Sequence, residues 1–134
     1  MVFLGVSEMT KLKLMFVAIL AMFSMSLFVA PAQAQSEMTF QIKSHYPYKV
    51  QVAMYSADRK GHVWPGVGRA YNLDDSQTHQ IKIACLGGEK ICYGGWVTGN
   101  STTYWGVGNN NAQRCTNCCY TCNGGMTPVI NLNN

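Results

Sequence analysis

Ile81-Lys-Ile-Ala-Cys-Leu-Gly-Gly-Glu-Lys-Ile-Cys-Tyr-Gly-Gly-Trp96 decides the fold. Apolar and polar residues alternate on each side of a Gly-Gly pair, the pattern of two half-buried strands joined by a tight turn. With Gly87 and Gly88 as the turn, Leu86 faces Glu89, Cys85 faces Lys90 and Ile83 faces Cys92. Cys85 and Cys92 then share a sheet face with Ile81 and Ile83 but sit diagonally, about 7–8 Å apart between Cα atoms. That separation is long for a direct bond. Both sulfurs are therefore free to reach another part of the chain, although a one-residue bulge would reverse this geometry.

The other four cysteines lie in Cys115-Thr-Asn-Cys118-Cys119-Tyr-Thr-Cys122. Three chemistries fit a C-x2-C-C-x2-C run. Two thiolate pairs suit zinc, but structural zinc sites usually place a dozen or more residues between the pairs. Cys119-Tyr-Thr-Cys122 has the spacing of a redox dithiol, but no βαβ pattern surrounds it. Structural disulfides are the ordinary state of six cysteines in a small exported chain. That reading places Cys85, Cys92, Cys115, Cys118, Cys119 and Cys122 in three bonds. Cys85 and Cys92 each reach the 115–122 segment, which leaves one bond within it. The i, i+3, i+4, i+7 spacing also allows a single helical turn over the cluster.

Working outward, Thr39–Lys43 and Val50–Tyr55 alternate, with Phe40, Ile42, Val50, Val52 and Met54 facing inward. Gln35–Met38 reads as a frayed start. Ala70–Leu73, Thr78–Cys85, Lys90–Val97 and Thr103–Val107 follow as strands. Ser56–Gly68 is a loop interrupted by Val63-Trp64-Pro65. Thr127–Leu132 closes the sheet, with Pro128 at its start or on an edge. The expected fold class is all-β, a small antiparallel β-sandwich or barrel of seven to eight short strands, stapled by disulfides.

Residues 1–34 read as a secretory signal. Lys11 and Lys13 precede an apolar run from Leu14 to Val29, and Ala32-Gln33-Ala34 is an A-x-A cleavage site. The signal is expected to be helical and to be removed, leaving 35–134 as a single β domain with no membrane span. Its style is bacterial, and the expected location is periplasmic or secreted. Eight Lys/Arg against five Asp/Glu give residues 35–134 a formal charge of +3, with no basic tract for nucleic acid.

Catalytic motifs are missing from this sequence. His45, His62 and His79 lie in separate segments without metal-ligand spacing, and His79 falls in phase with Ile81 and Ile83 as a partly buried strand residue. Asp58, Asp74, Asp75 and Glu89 fall in turns, where carboxylates cap backbone groups. No metal, cofactor or catalytic residue is expected.

Aromatic residues beside glycine carry the functional expectation: Tyr93-Gly-Gly-Trp96 and Tyr104-Trp-Gly-Val-Gly108, with Asn100 and Asn109 to Asn111 nearby. Ring faces stack on sugar C–H surfaces, and amides bond hydroxyls. The competing role for these rings is to fill a core poor in Leu and Phe. Trp64, Trp96, Tyr104 and Trp105 are the expected binding residues, with Trp64 the most exposed. The expected partner is a glycan, a peptide or an envelope component. The alternative function is thiol-redox or zinc chemistry at Cys115–Cys122.

The string Gly88-Glu-Lys-Ile-Cys-Tyr-Gly-Gly-Trp96, with Tyr104–Gly108 and the cysteine run, resembles small exported proteins of Gram-negative bacteria that have no assigned activity. The resemblance implies export and brings no catalytic residues with it. Phe-x-Ile and Tyr-x-Val-x-Val-Ala-x-Tyr, over 40–55, are similar to secreted bacterial β-sandwich domains.

Overall fold

A computed structural model describes residues 34–133. Residues 1–33 of the expected signal segment lie outside the described residues. The chain forms β1 (Gln35–Ser44), β2 (Val50–Ser56), β3 (Val63–Trp64), β4 (Tyr71–Leu73), β5 (His79–Leu86), β6 (Lys90–Val97), β7 (Asn100–Gly106), β8 (Cys119–Thr121) and β9 (Met126–Leu132). A single 3-10 turn at Asn109–Asn111 is the only helical element among the described residues. That makes the described residues all-β, and no described helix is long and apolar enough to cross a membrane.

Two open sheets face each other. One has the order β5-β1-β9; the other runs β3-β2-β6-β7, with β4 also paired to β2 and β8 to β6. The core lies between them. Met38, Phe40 and Ile42 from β1, Ile81, Ile83 and Cys85 from β5, and Ile130 and Leu132 from β9 meet Val50, Val52, Met54, Trp64, Leu73 and Ile91. The period-two alternation of each strand puts these side chains on one face, and each fully buried aliphatic or aromatic side chain contributes roughly 1.5–3 kcal/mol.

Several expectations need correction. Gln35–Met38 is not frayed: β1 pairs with β5 from Gln35↔Leu86 to Ile42↔His79, which puts the polar N-terminal residues into the ladder. Nor do β5 and β6 form a hairpin. Glu89 N–H still donates to the Leu86 carbonyl at 2.9 Å, and Gly88 takes the left-handed φ of 83° that the turn requires. However, β5 then pairs with β1 and β6 with β2, so the turn carries the chain from one sheet to the other. The reason is that Ile81, Ile83 and Cys85 face Ile91 across the core instead of lying beside it.

The sheets are also not purely antiparallel, and neither closes into a barrel. β9 runs parallel to β1. Ser36 lies opposite Cys85, and Cys85 is bonded to Cys122, so the chain reaches this sheet at the start of β1. From there it can only run in the direction of β1. Pro128 falls on this edge strand where the register shifts between Thr39 and Gln41; the Thr127 hydroxyl and carbonyl take the Gln41 backbone and side-chain N–H groups at 3.0 and 2.7 Å. Finally, the described residues form nine strands where seven or eight are expected. Val63–Trp64 pairs with β2, and Cys119–Thr121 pairs with β6 in place of a helical turn.

Candidate binding cleft

The cysteine pairs decide the local architecture. Cys85 bonds Cys122, Cys92 bonds Cys119, and Cys115 bonds Cys118. As expected, Cys85 and Cys92 each tie to the cluster and one bond stays within it. The expected register was nevertheless wrong, since Cys92 lies on the outer face of its sheet and Cys85 in the core between the sheets. The cluster's four sulfurs fall in three separate bonds and do not converge as a ligand set, and Cys119 and Cys122 are not bonded to each other.

Those bonds shape a loop. β6 has two partners along one edge: β7 pairs from Gly94 to Val97, and β8 from Lys90 to Cys92. Between them, at Tyr93, the chain leaves the sheet as a loop of residues 107–118. The Tyr93 carbonyl accepts from Val107 N–H at 3.0 Å, and Tyr93 N–H donates to the Cys118 carbonyl at 2.9 Å. Both ends of the loop are thus clamped to one residue. Closed loops of this kind are often functional.

The glycines beside the aromatic residues serve this loop. A Cβ at Gly94 would stand 2.1 Å from the Gly108 carbonyl oxygen, and one at Gly106 2.2 Å from the Tyr93 carbonyl. Only bare backbone lets the loop cross the sheet this closely. Val107 and Cys118 then cover Ala53, Tyr55, Cys92 and Trp96, making a second, smaller core on the outer face. The loop comes to rest where Asn110 N–H donates to the Tyr55 hydroxyl at 2.9 Å. Asn110 and Asn111 hold left-handed φ of 58° and 55°, a conformation asparagine tolerates better than most residues.

Opposite stands a second rim, residues 57–70. Its anchor is Glu89, 1% exposed, which accepts two hydrogen bonds from Arg59 at 2.5 and 2.9 Å, one from Ser56 at 2.6 Å and one from Leu86 N–H at 3.0 Å. Burial pushes this carboxyl up, but Arg59, the Leu86 N–H and Ser56 outweigh it and hold the group at about 2. Trp64 is the second anchor. Its indole N–H donates to the Ala84 carbonyl at 2.7 Å, linking the two sheets. His62 meets the same ring edge-on at 4.6 Å, and the Arg59 guanidinium lies 5.6 Å from its centre.

Between the rims is a cleft of about 520 Å³. Gln51, Tyr55 and Trp96 line its floor, His62, Val67 and Arg69 one side, and Asn109, Asn110 and Asn111 the other. The Trp96 indole N–H donates to Gln51 Oε1 at 3.2 Å, and Gln51 Nε2 to Asn72 at 3.3 Å, which fixes the floor. Burial raises the Tyr55 phenol above its ordinary value against the lowering effect of the Asn110 and Asn111 backbone. The size falls in the usual range for small-ligand pockets.

The four expected binding residues do not come together. Trp64 is 8% exposed and sits in the main core, so the expectation that it would be the most exposed ring is overturned. A Gly/Pro-rich loop normally suggests exposure, but Trp64 pairs with Met54 and follows its inward parity. Trp105 points inward beside Gly95, with its N–H on the Asn133 carbonyl at 2.6 Å and its ring 5.3 Å from Tyr46. Tyr104, 42% exposed, stands opposite Trp96 on the outer face, beside Gly108. Only Trp96 lines the cleft, as do the expected neighbours Asn109–Asn111. Tyr55, Gln51 and Arg69 were missed. The odd parity of Gln51 and Tyr55 in an alternating strand marks them as outward-facing; Arg69 carries no such signal.

Nothing matches this chain among protein-family models, curated proteins or solved structures.

Proposed function

We propose that this chain is a non-catalytic binding domain of the bacterial periplasm or medium, and that its cleft holds a glycan. The observation that carries the reading is the pairing of an aromatic floor, Trp96 and Tyr55, with the three asparagines on one wall. The Asn109–Asn111 side chains make no hydrogen bond within the described residues, so each offers a donor and an acceptor to sugar hydroxyls. Both rims are pinned before any ligand arrives, which lowers the entropy cost of binding. Three disulfides suit an oxidising compartment and favour export. They also speak against a thiol or zinc role for Cys115–Cys122, since every cysteine is paired. The resemblance to exported Gram-negative proteins agrees with this location.

The test is an NMR titration of 15N-labelled protein with a panel of neutral and acidic oligosaccharides. Saturable shifts at the Trp96 indole N–H and the Asn109–Asn111 amides are expected. Shifts confined to the Tyr46–Trp105 cluster, or no saturable shift with any sugar, would rule the cleft out.

A further inference from the structure

The charges around the cleft are lopsided. None of its lining residues is acidic, while Arg69 stands on one side. All five acidic side chains of the β domain are committed or placed elsewhere. Glu37 pairs with Lys82 and Asp75 with His79, and Glu89 takes Arg59. Asp58 accepts from Lys90 N–H at 2.9 Å, and Asp74 lines a separate depression beside Tyr46 and Tyr48. Arg69 is different from Arg59: it is exposed, and no ion pair or hydrogen bond engages its guanidinium among the described residues. It is held only at its backbone, where Arg69 N–H donates to the Gly66 carbonyl at 3.0 Å, and by the stem lying along Gly66.

We infer that the glycan held in this cleft is acidic, with a sugar carboxylate on the Arg69 guanidinium and its ring between Trp96 and the asparagine wall. This rests on the glycan reading above and adds the ligand's charge. A guanidinium presents paired N–H donors that match a carboxylate's two oxygens. Arg69 is the one Lys or Arg among the lining residues, and a single unmatched cation there fits one sugar carboxylate. A peptide carboxylate is disfavoured by the floor. β2 is paired on one side to β6 and on the other to β3 and β4, so this floor strand offers no free edge for an extended peptide to join.

Isothermal titration of the purified protein tests this with tetramers of galacturonate and of mannuronate, their methyl esters, and β-1,4-galactotetraose. The esters keep ring and hydroxyls but lose the charge. At least one acid tetramer is expected to bind about tenfold or more tightly than its ester, the loss associated with one charged hydrogen-bonded contact. Arg69→Gln should weaken the acid to the level of the ester and leave the ester unchanged; Arg69→Lys should fall between. Circular dichroism melting should show the fold intact in both variants.

Equal binding of acid and ester, or an acid preference that survives Arg69→Gln, overturns the inference. If galactotetraose binds as tightly as the acids and shifts the Trp96 indole, the charge assignment fails while the glycan cleft stands. If no saccharide shifts Trp96 or Asn109–Asn111, both fail. Binding of an acidic tetrapeptide at those resonances without any saccharide would assign the cleft to peptides and overturn both.

Discussion

The two rims of the cleft are held by different chemistry. Residues 57–70 are anchored non-covalently, by the Arg59–Glu89 pair and by Trp64 sunk in the main core. Residues 107–118 bring few side chains large enough to dock; they are held by bonds at Cys92–Cys119 and Cys115–Cys118, by the clamp on Tyr93, and by close passage over Gly94. One rim is therefore sensitive to acid and the other to reductant. A loop with buried anchors needs no covalent link, whereas an Asn-rich loop of short polar side chains does. On this rim the sulfur bonds stand where packing is thin, whereas Cys85–Cys122 lies in the main core.

Reduction should produce the largest effect. Cys85–Cys122 and Cys92–Cys119 close chain separations of 37 and 27 residues. Each restrains the unfolded chain by roughly 2–4 kcal/mol, so losing both removes much of the 5–15 kcal/mol typical of a domain. The expected result is a large fall in urea midpoint after reduction and alkylation. In the Cys92→Ser, Cys119→Ser double variant, amide exchange should rise first over 107–118. Faster exchange over 57–64 instead would break the distinction between the rims.

Acid should act on the other rim. Glu89 sits at about 2 in the fold against an ordinary 4.5. Its stabilisation is fully present above pH 4.5 and is lost as pH falls through about 2. Glu89→Gln should cost on the order of 3 kcal/mol at pH 7. The difference between wild type and variant should shrink steadily between pH 4.5 and 2. A difference independent of pH would show that the charge on Glu89 is not what holds Arg59 and the turn.

Gly94→Ala sharpens the comparison without touching sulfur or charge. The new methyl meets the Gly108 carbonyl, and relief requires the loop to lift, at roughly 1–3 kcal/mol. Trp96 fluorescence should shift as its cover loosens, while Trp64 stays enclosed. Unchanged stability and fluorescence would mean the loop is not held by close passage over Gly94.

These anchors differ in how much of them the sequence discloses. Alternation located β2, β5, β6 and β9, and the cysteine count implied bonds from Cys85 and Cys92 to the cluster, because both signals are local or arithmetic. The Gly87-Gly88 turn was legible, but not the sheet each flanking strand joins. That choice depends on Ile81, Ile83 and Ile91 facing one another across a core that no single segment specifies. Glu89 read as a surface turn residue because its partner Arg59 is thirty positions away. The glycines of 93–108 suggested open backbone for a ligand, whereas at Gly94 and Gly106 they make room for the chain itself.

The smallest effect sits where the loop meets the floor. Tyr55 comes from β2, a central strand, and its hydroxyl accepts from Asn110 N–H on the loop. Tyr55→Phe keeps the ring in the outer core and removes only that acceptor. Because Asn110 is exposed, water can take over its N–H, so the cost should be near the lower end of about 0.5–1.5 kcal/mol. Global melting will barely register it. The informative readouts are local: faster exchange of the Asn110 amide, and sugar affinity that falls more than stability does. Such a split is expected if the Asn109–Asn111 wall works by being pre-set against the floor, since a loosened wall must be ordered again on binding. If Tyr55→Phe speeds Asn110 exchange and leaves affinity unchanged, the asparagine wall is a structural cap on Tyr55, and the ligand's contacts must come from the opposite rim and the floor.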